Sequence, residues 1–237
     1  MGRQAKAAGY VARSAVKLEQ ILSRFSPALL GSAHWKGRPA SVLDLGAAPG
    51  AWLQVLARQK RECVVVGVDE QRLNDEVIGE LSRTYNGLRI DRVQEETDGL
   101  YASGDGFALV QRRIEEQTLE SVSRELARAL KAAGGRGALY NTILSDMMPK
   151  TTGIADGIAS VRVASLAAAL ATGTMPTLHS ADQIAEAEGA QQNAPLLRRG
   201  GALCVKVLEG GHAFGSRPLY EFLWQRFKYV SCPSRPA

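Results

Sequence analysis

Apolar residues along the chain fall into two patterns that alternate. Short, nearly unbroken runs stand at Ser41-Val-Leu-Asp-Leu45, Cys63-Val-Val-Val-Gly-Val68, Tyr140-Asn-Thr-Ile-Leu144 and Ala202-Leu-Cys-Val-Lys-Val207. Runs of this length predict strands buried on both faces, as in a parallel sheet. Elsewhere apolar positions recur every three or four residues. Ala15, Val16 or Leu18, Ile21, Leu22 and Phe25 place a helix over 12–25, with Ser14 as its candidate cap. Trp52–Gln59, Gln111–Lys131, Ala159–Ala171 and Pro218–Phe227 are read as helices on the same grounds. Leu88–Val93 is a weaker third strand. Ala194–Leu197 is read as closing a helix before the turn Arg198-Arg-Gly-Gly201, and Lys228–Cys232 as opening a last strand. Strands alternating with helices predict an α/β protein with a doubly wound, mostly parallel sheet. One domain over 1–237 is expected, with insertions at about 71–139 and 172–192 and no internal repeat.

Composition changes this picture little. A chain of 237 residues has room for one such core. The net charge of +5 favours a polyanionic partner only weakly. Cys63, Cys204 and Cys232 are too few and too scattered for a disulfide framework or a zinc cluster. His34, His179 and His212 lack metal-ligand spacing, so no metal is expected, and no apolar stretch reaches the roughly 18 residues of a membrane span. The first 18 residues carry Arg3, Lys6, Arg13 and Lys17 and no acid, the bias of an organellar transit peptide. Residues 10–18 have a second claim on them, given below.

The candidate chemistry gathers where strands end. Gly46-Ala-Ala-Pro-Gly50 follows the first strand directly, with Asp44 just before it and Trp52 opening a helix. Such a turn carries backbone to a ligand at the carboxyl edge of a sheet and is expected to offer bare N–H groups there. It is neither a dinucleotide fingerprint nor a Walker A loop. Asp69 ends the second strand, where a ribose-binding acid sits in related sheets; a solvated strand-end aspartate is the plain alternative. Asp146 follows the fourth strand in Ser145-Asp-Met-Met-Pro149, as a site carboxylate or a simple turn residue. Lys206 interrupts an apolar strand and must be paired, reach the sheet edge, or change its ionisation. Lys17 reads by default as a solvated helix residue, and Trp52 as core, as a neighbour of a ligand, or as both.

Four of these segments, in order, resemble the FtsJ-like ribosomal RNA 2′-O-methyltransferases: Arg13-Ser-Ala-Val-Lys-Leu18, Leu43-Asp-Leu-Gly-Ala-Ala-Pro-Gly-Ala-Trp52, Ile143-Leu-Ser-Asp-Met-Met-Pro149 with Thr152-Gly153, and Gly200-Gly-Ala-Leu-Cys-Val-Lys-Val207. Ala51 is closer to the mitochondrial members, which adds a mitochondrial location to the expectations. The resemblance implies a Rossmann-like methyltransferase fold, S-adenosyl-L-methionine as methyl donor and RNA, above all ribosomal RNA, as partner. It implies Lys17, Asp146 and Lys206 as catalytic residues. It implies Gly46, Gly50, Trp52, Asp69 and Asp146 as cofactor contacts. A further acid after the third strand is expected, with Glu95, Asp98 and Asp105 competing for the place. The family's fourth catalytic residue, a glutamate on a final antiparallel strand, has no counterpart before Pro233-Ser-Arg-Pro-Ala237. A fragment, a truncated reading frame or a degenerate enzyme is expected from that gap. Phosphate contacts are expected from Arg13, Lys17, Arg38, Lys150 and Arg217. The rival readings are a catalytically impaired RNA-binding or scaffold protein, a methyltransferase acting on tRNA, a protein or a small molecule, and a nicotinamide dehydrogenase.

Overall fold

In the computed structural model, seven strands form one sheet: β1 (Ala40–Leu45), β2 (Cys63–Asp69), β3 (Arg89–Ile90), β4 (Gly99–Gly104), β5 (Phe107–Gln111), β6 (Tyr140–Ser145) and β7 (Leu197–Val205). The structure describes residues 2–30, 39–59, 63–85, 87–90, 99–148, 156–176, 193–208, 217–228 and 230. Strand order is β3-β4-β5-β2-β1-β6-β7; β5, β2, β1, β6 and β7 are parallel, and β3 and β4 are antiparallel additions at one edge. The α-helices among the described residues are α1 (Gly2–Ala7), α2 (Ser14–Leu30), α3 (Ala51–Arg58), α4 (Asp75–Thr84), α5 (Leu119–Ala132), α6 (Asp156–Thr172) and α7 (Arg217–Arg226).

Strand alternation divides the apolar side chains between two cores. Val42, Val65, Leu109 and Leu144 pack under α2, α3 and α4 with Ala15, Leu18, Leu53 and Val77. Leu43, Val66, Val110 and Ile143 face the other way, against Leu126 and Leu130 of α5 and Ala167 and Leu170 of α6. The sheet is therefore doubly wound, as its apolar runs predict. Chain direction across the sheet reverses at β1, from which β2 and β5 lie one way and β6 and β7 the other. Open α/β sheets hold their ligands above such a reversal.

Several sequence expectations are corrected. The third parallel strand is Phe107–Gln111, whereas the described part of the Leu88–Val93 run, residues 88–90, supplies the two-residue antiparallel β3, and residues 91–93 lie outside the described residues. A two-residue Asp105-Gly106 hairpin turn delivers β5, and an Asp-Gly pair before an apolar run is the signal that could have found it. The helix expected over 111–131 starts at Leu119, where the Thr118 hydroxyl accepts from the Ser121 N–H at 3.2 Å. Ala194–Leu197 closes no helix: Leu197 already pairs with Tyr140, and residues 198–201 bulge opposite Asn141 before pairing resumes at Ala202. Lys228 and Val230 are not in a strand; the rest of Lys228–Cys232 and residues 231–237 lie outside the described residues. Helices α1 and α4 and strand β4 had no counterpart in the sequence reading.

Candidate active site at the carboxyl edge

Register brings the predicted residues into one row. Asp44 pairs with Gly67 and Leu144, and Leu45 with Val68 and Ser145, so the next rung sets Gly46 between Asp69 and Asp146. Backbone bonds carry the ladder past the strand ends, from Asp146 N–H to Leu45 O and from Lys206 N–H to Ser145 O, each 3.0 Å. Lys206 thereby falls beside Asp146. Gln111 pairs with Asp69 at the far end of the row.

The glycine loop is built from within. Gly46 and Ala47 N–H donate to Val68 O at 2.9 and 3.0 Å, and Ala48 N–H donates to Asp69 Oδ2 at 2.9 Å. The expectation of bare N–H groups is therefore corrected for these three, whose hydrogen bonds fix the loop onto β2. Gly46, at φ +80°, lets the loop lie against the segment after β6: a Cβ there would meet Met147 N and Cα at 2.7 and 2.8 Å. Gly50 packs on α4, where a Cβ would meet Val77 Cγ1 at 2.5 Å. Asp69 also accepts from Gln71 N–H at 2.8 Å; burial pushes its carboxyl above the usual range, while the two backbone donors pull it back. Trp52 is buried in the α2–α3 core, and its Nε1–H donates to Ser14 O at 3.0 Å. It anchors the start of α2 to the start of α3.

Asp146 and Lys206 meet in an ion pair through Oδ1 and Nζ, with 14% and 24% of their side chains exposed. The sequence leaves Lys206 a choice of fates, and pairing is the one observed. Lys17 is exposed on the first turn of α2, the helix that packs over the face of the sheet holding Leu144 and Cys204. No ion pair joins Lys17 to Asp146. Of the three amine and carboxylate groups implied by the resemblance, the structure thus brings two together. Arg13 is exposed beside Lys17, Arg217 is paired with Glu221 at 2.8 Å, and Arg38 and Lys150 lie outside the described residues.

A cleft of about 510 Å³ opens over the row, lined by Gly46, Ala48, Asp69, Asp146 and Met147 on one side and by Arg112, Arg113, Ile114 and Glu115 on the other. That second wall is the part the sequence reading missed, because it follows the unrecognised β5. Arg112 Nε lies 3.0 Å from Glu125 Oε2, and Arg113 bridges Glu70 at 2.5 Å and Glu116 at 2.8 Å. Of the acids considered for a third-strand contact, Asp105 lies in the hairpin turn at the amino end of β5, on the opposite edge, and Glu95 and Asp98 lie outside the described residues. Glu115 is the acid in that wall of the cleft.

Beneath the floor, Asp44 is fully buried, and neither carboxylate oxygen has a hydrogen-bond partner. Burial, reinforced by the negative charges of Asp146 and Asp69, pushes its carboxyl well above the ordinary 3.8. Cys204 is raised to about 11, again mainly by burial and then by Asp146 and Asp44.

Three features fit a small cationic ligand with a ribose. The cleft has the usual size of small-molecule sites, about 300–1,000 Å³. Its floor is the glycine loop, held close against Met147 because Gly46 carries no Cβ. Its charged groups include two aspartates, Asp69 and Asp146, at the carboxyl edge of the sheet. Among the described residues no cluster of His, Cys, Asp and Glu could hold a metal, and no helix is long and apolar enough to cross a membrane.

Ribosomal RNA large subunit methyltransferase E of Methanothrix thermoacetophila is 32% identical over 88% of this chain and 56% of its own length. Its namesake in Halorubrum lacusprofundi is 32% identical over 99% of this chain and 63% of its own. The chain thus spans about three-fifths of the length of these relatives. A ribosomal RNA methyltransferase from Plasmodium falciparum superposes with a TM-score of 0.41 at 19% identity, over 67% of this chain and 68% of that one. The model of the FtsJ-like methyltransferases matches residues 10–236, so the chain belongs to that family.

Proposed function

We propose that this protein transfers a methyl group from S-adenosylmethionine to a ribose 2′-hydroxyl of RNA, with ribosomal RNA as the substrate class. The observation that carries the reading is the Lys206–Asp146 pair set beside the glycine loop at the reversal of the sheet. The relatives named as ribosomal RNA methyltransferases supply the substrate class.

The donor supplies an activated, cationic methyl; the chain has to align the reacting groups and handle one proton. Gly46, Ala48 and Asp69, which line the cleft, would hold the donor, the ribose falling to Asp69, while Gly50 sets the loop against α4. A ribose hydroxyl is a weak nucleophile and needs a base. Lys206 serves as that base in its neutral form. A neutral amine keeps an N–H for Asp146, so the pair survives loss of the proton. Once Lys206 has accepted the hydroxyl proton, the ammonium formed is stabilised by the Asp146 carboxylate that the structure places against it. A quarter of the side chain is exposed, which lets the proton leave to solvent. Lys17, on the helix above, would meet the RNA or add a second positive charge as the substrate docks.

Purified protein, labelled donor and ribosomal RNA test the reading. A 2′-O-methyl blocks alkaline cleavage at its own phosphodiester, so the label should be recovered in an alkali-resistant dinucleotide. Label in bases, or none despite donor binding, would refute it; the second result favours an RNA-binding scaffold. A mitochondrial location belongs to the same proposal on sequence grounds. The basic, acid-free segment behind that expectation docks on the fold: Ala5 is buried, and Arg58 donates to Ala8 O and Gly9 O at 2.7 and 3.0 Å. Uptake of the tagged chain by isolated mitochondria would check it.

A further inference from the structure

One buried ionisable group has no part in the chemistry above. Asp44 is fully buried, with both oxygens unpartnered, on the strand that runs into the glycine loop. An unpaired carboxylate in such a place is costly, so the group is carried with its proton. The neighbouring strands and α2 can be checked for a compensating charge. From β2 the ionisable neighbour is Asp69, from β6 Asp146, and from β7 Cys204, with Lys206 committed to Asp146. On α2 the core-facing residues, Ala15 and Leu18, are apolar, and Lys17 is exposed. Among the described residues no cation answers Asp44, and the carboxylates nearest to it, Asp69 and Asp146, line the cleft.

What is missing is a positive charge, and the cleft is where one could arrive. We propose that Asp44 gives up its proton to solvent when the sulfonium donor occupies the cleft and takes one back when the neutral thioether product remains. The carboxylate then compensates the donor's charge from beneath, and the grip relaxes once the methyl has left. Asp44 acts as a positioning residue: it touches neither the methyl nor the hydroxyl, and it makes the site prefer donor over product. The inference rests on the proposed function, since it requires that a sulfonium bind here.

Calorimetric titration of the full chain with S-adenosylmethionine, and separately with S-adenosylhomocysteine, in two buffers of different ionisation enthalpy at pH 7, counts the protons. The expected result is release approaching one proton for the sulfonium and close to none for the thioether. Asp44→Asn should abolish the release and reduce the preference for donor over product by about tenfold, the equivalent of one pKa unit. Infrared difference spectra should show a protonated carboxyl band disappearing on donor binding in the natural protein and no such change in Asp44→Asn. Should the variant fail to fold, the proton count and spectrum of the natural protein decide alone. Tight donor binding without proton release would overturn the inference and leave the proposed function standing. Failure of either ligand to bind the folded protein would overturn both.

Discussion

Gly46→Ala is the change most directly calculable from the structure. At φ +80° an L side chain occupies the left-handed region, which costs roughly 1–2 kcal/mol. The new Cβ would also lie 2.7 and 2.8 Å from Met147 N and Cα. These are backbone atoms in the segment bearing Asp146, so relief requires the loop and that segment to part. Overpacking of this kind costs about 1–3 kcal/mol more, giving about 2–5 kcal/mol in all. For a chain of this size that is a fall in Tm of roughly 4–20 °C. Gly200→Ala is the matched control, because Gly200 has nearly the same φ, +79°, and nothing within 4 Å of its Cβ. It should lose only the backbone part, about 1–2 kcal/mol. Urea denaturation of both variants, with donor titrations beside it, separates the two contributions. Gly46→Ala should also weaken donor binding, and Gly200→Ala should not. Equal losses in the two variants would refute the claim that Met147 packs against Gly46 to shape the cleft.

Other outcomes follow from the same geometry. Lys206→Ala should lower methyl transfer by about 10²–10⁴-fold with donor affinity nearly unchanged, as single-turnover rates and calorimetry would show. Gln54→Leu should cost about 1–3 kcal/mol in chemical denaturation. It removes a buried amide that accepts from Val11 N–H at 2.9 Å and donates to Gly9 O at 3.3 Å and to Glu80 at 2.6 Å. Asp44 has its folded value raised, so the stability it contributes is full below 3.8 and is lost as pH rises through the folded value. Asp44→Asn should therefore melt higher than the natural protein at pH 7, with the gain shrinking as pH falls toward 4; a constant gain across that range would contradict this. RNA affinity should fall steeply with salt, and less steeply in a Lys17→Ala, Arg13→Ala double variant if these exposed cations meet phosphates.

The short apolar runs were enough to announce a parallel sheet, because a strand buried on both faces has no polar alternation to imitate anything else. Asp69, Asp146 and Lys206 were legible for a related reason: a charged residue at the end of such a run has no place in the core. What the order of residues alone left open was which runs are neighbours. Leu88–Val93 and Phe107–Gln111 compete for one place in the sheet, and only pairing with β2 awards it to the second. With it came Arg112, Arg113 and Glu115 along the cleft. Lys206 could have been paired, exposed or neutral; Asp146, sixty positions earlier, settles it through a register the linear sequence does not print. Asp44 and Trp52 show the same division. Both stand in a readable motif, yet the lack of any partner for one and the Ser14 carbonyl for the other arise only when distant segments close around them, since burial and hydrogen bonding belong to the folded packing and not to local preference.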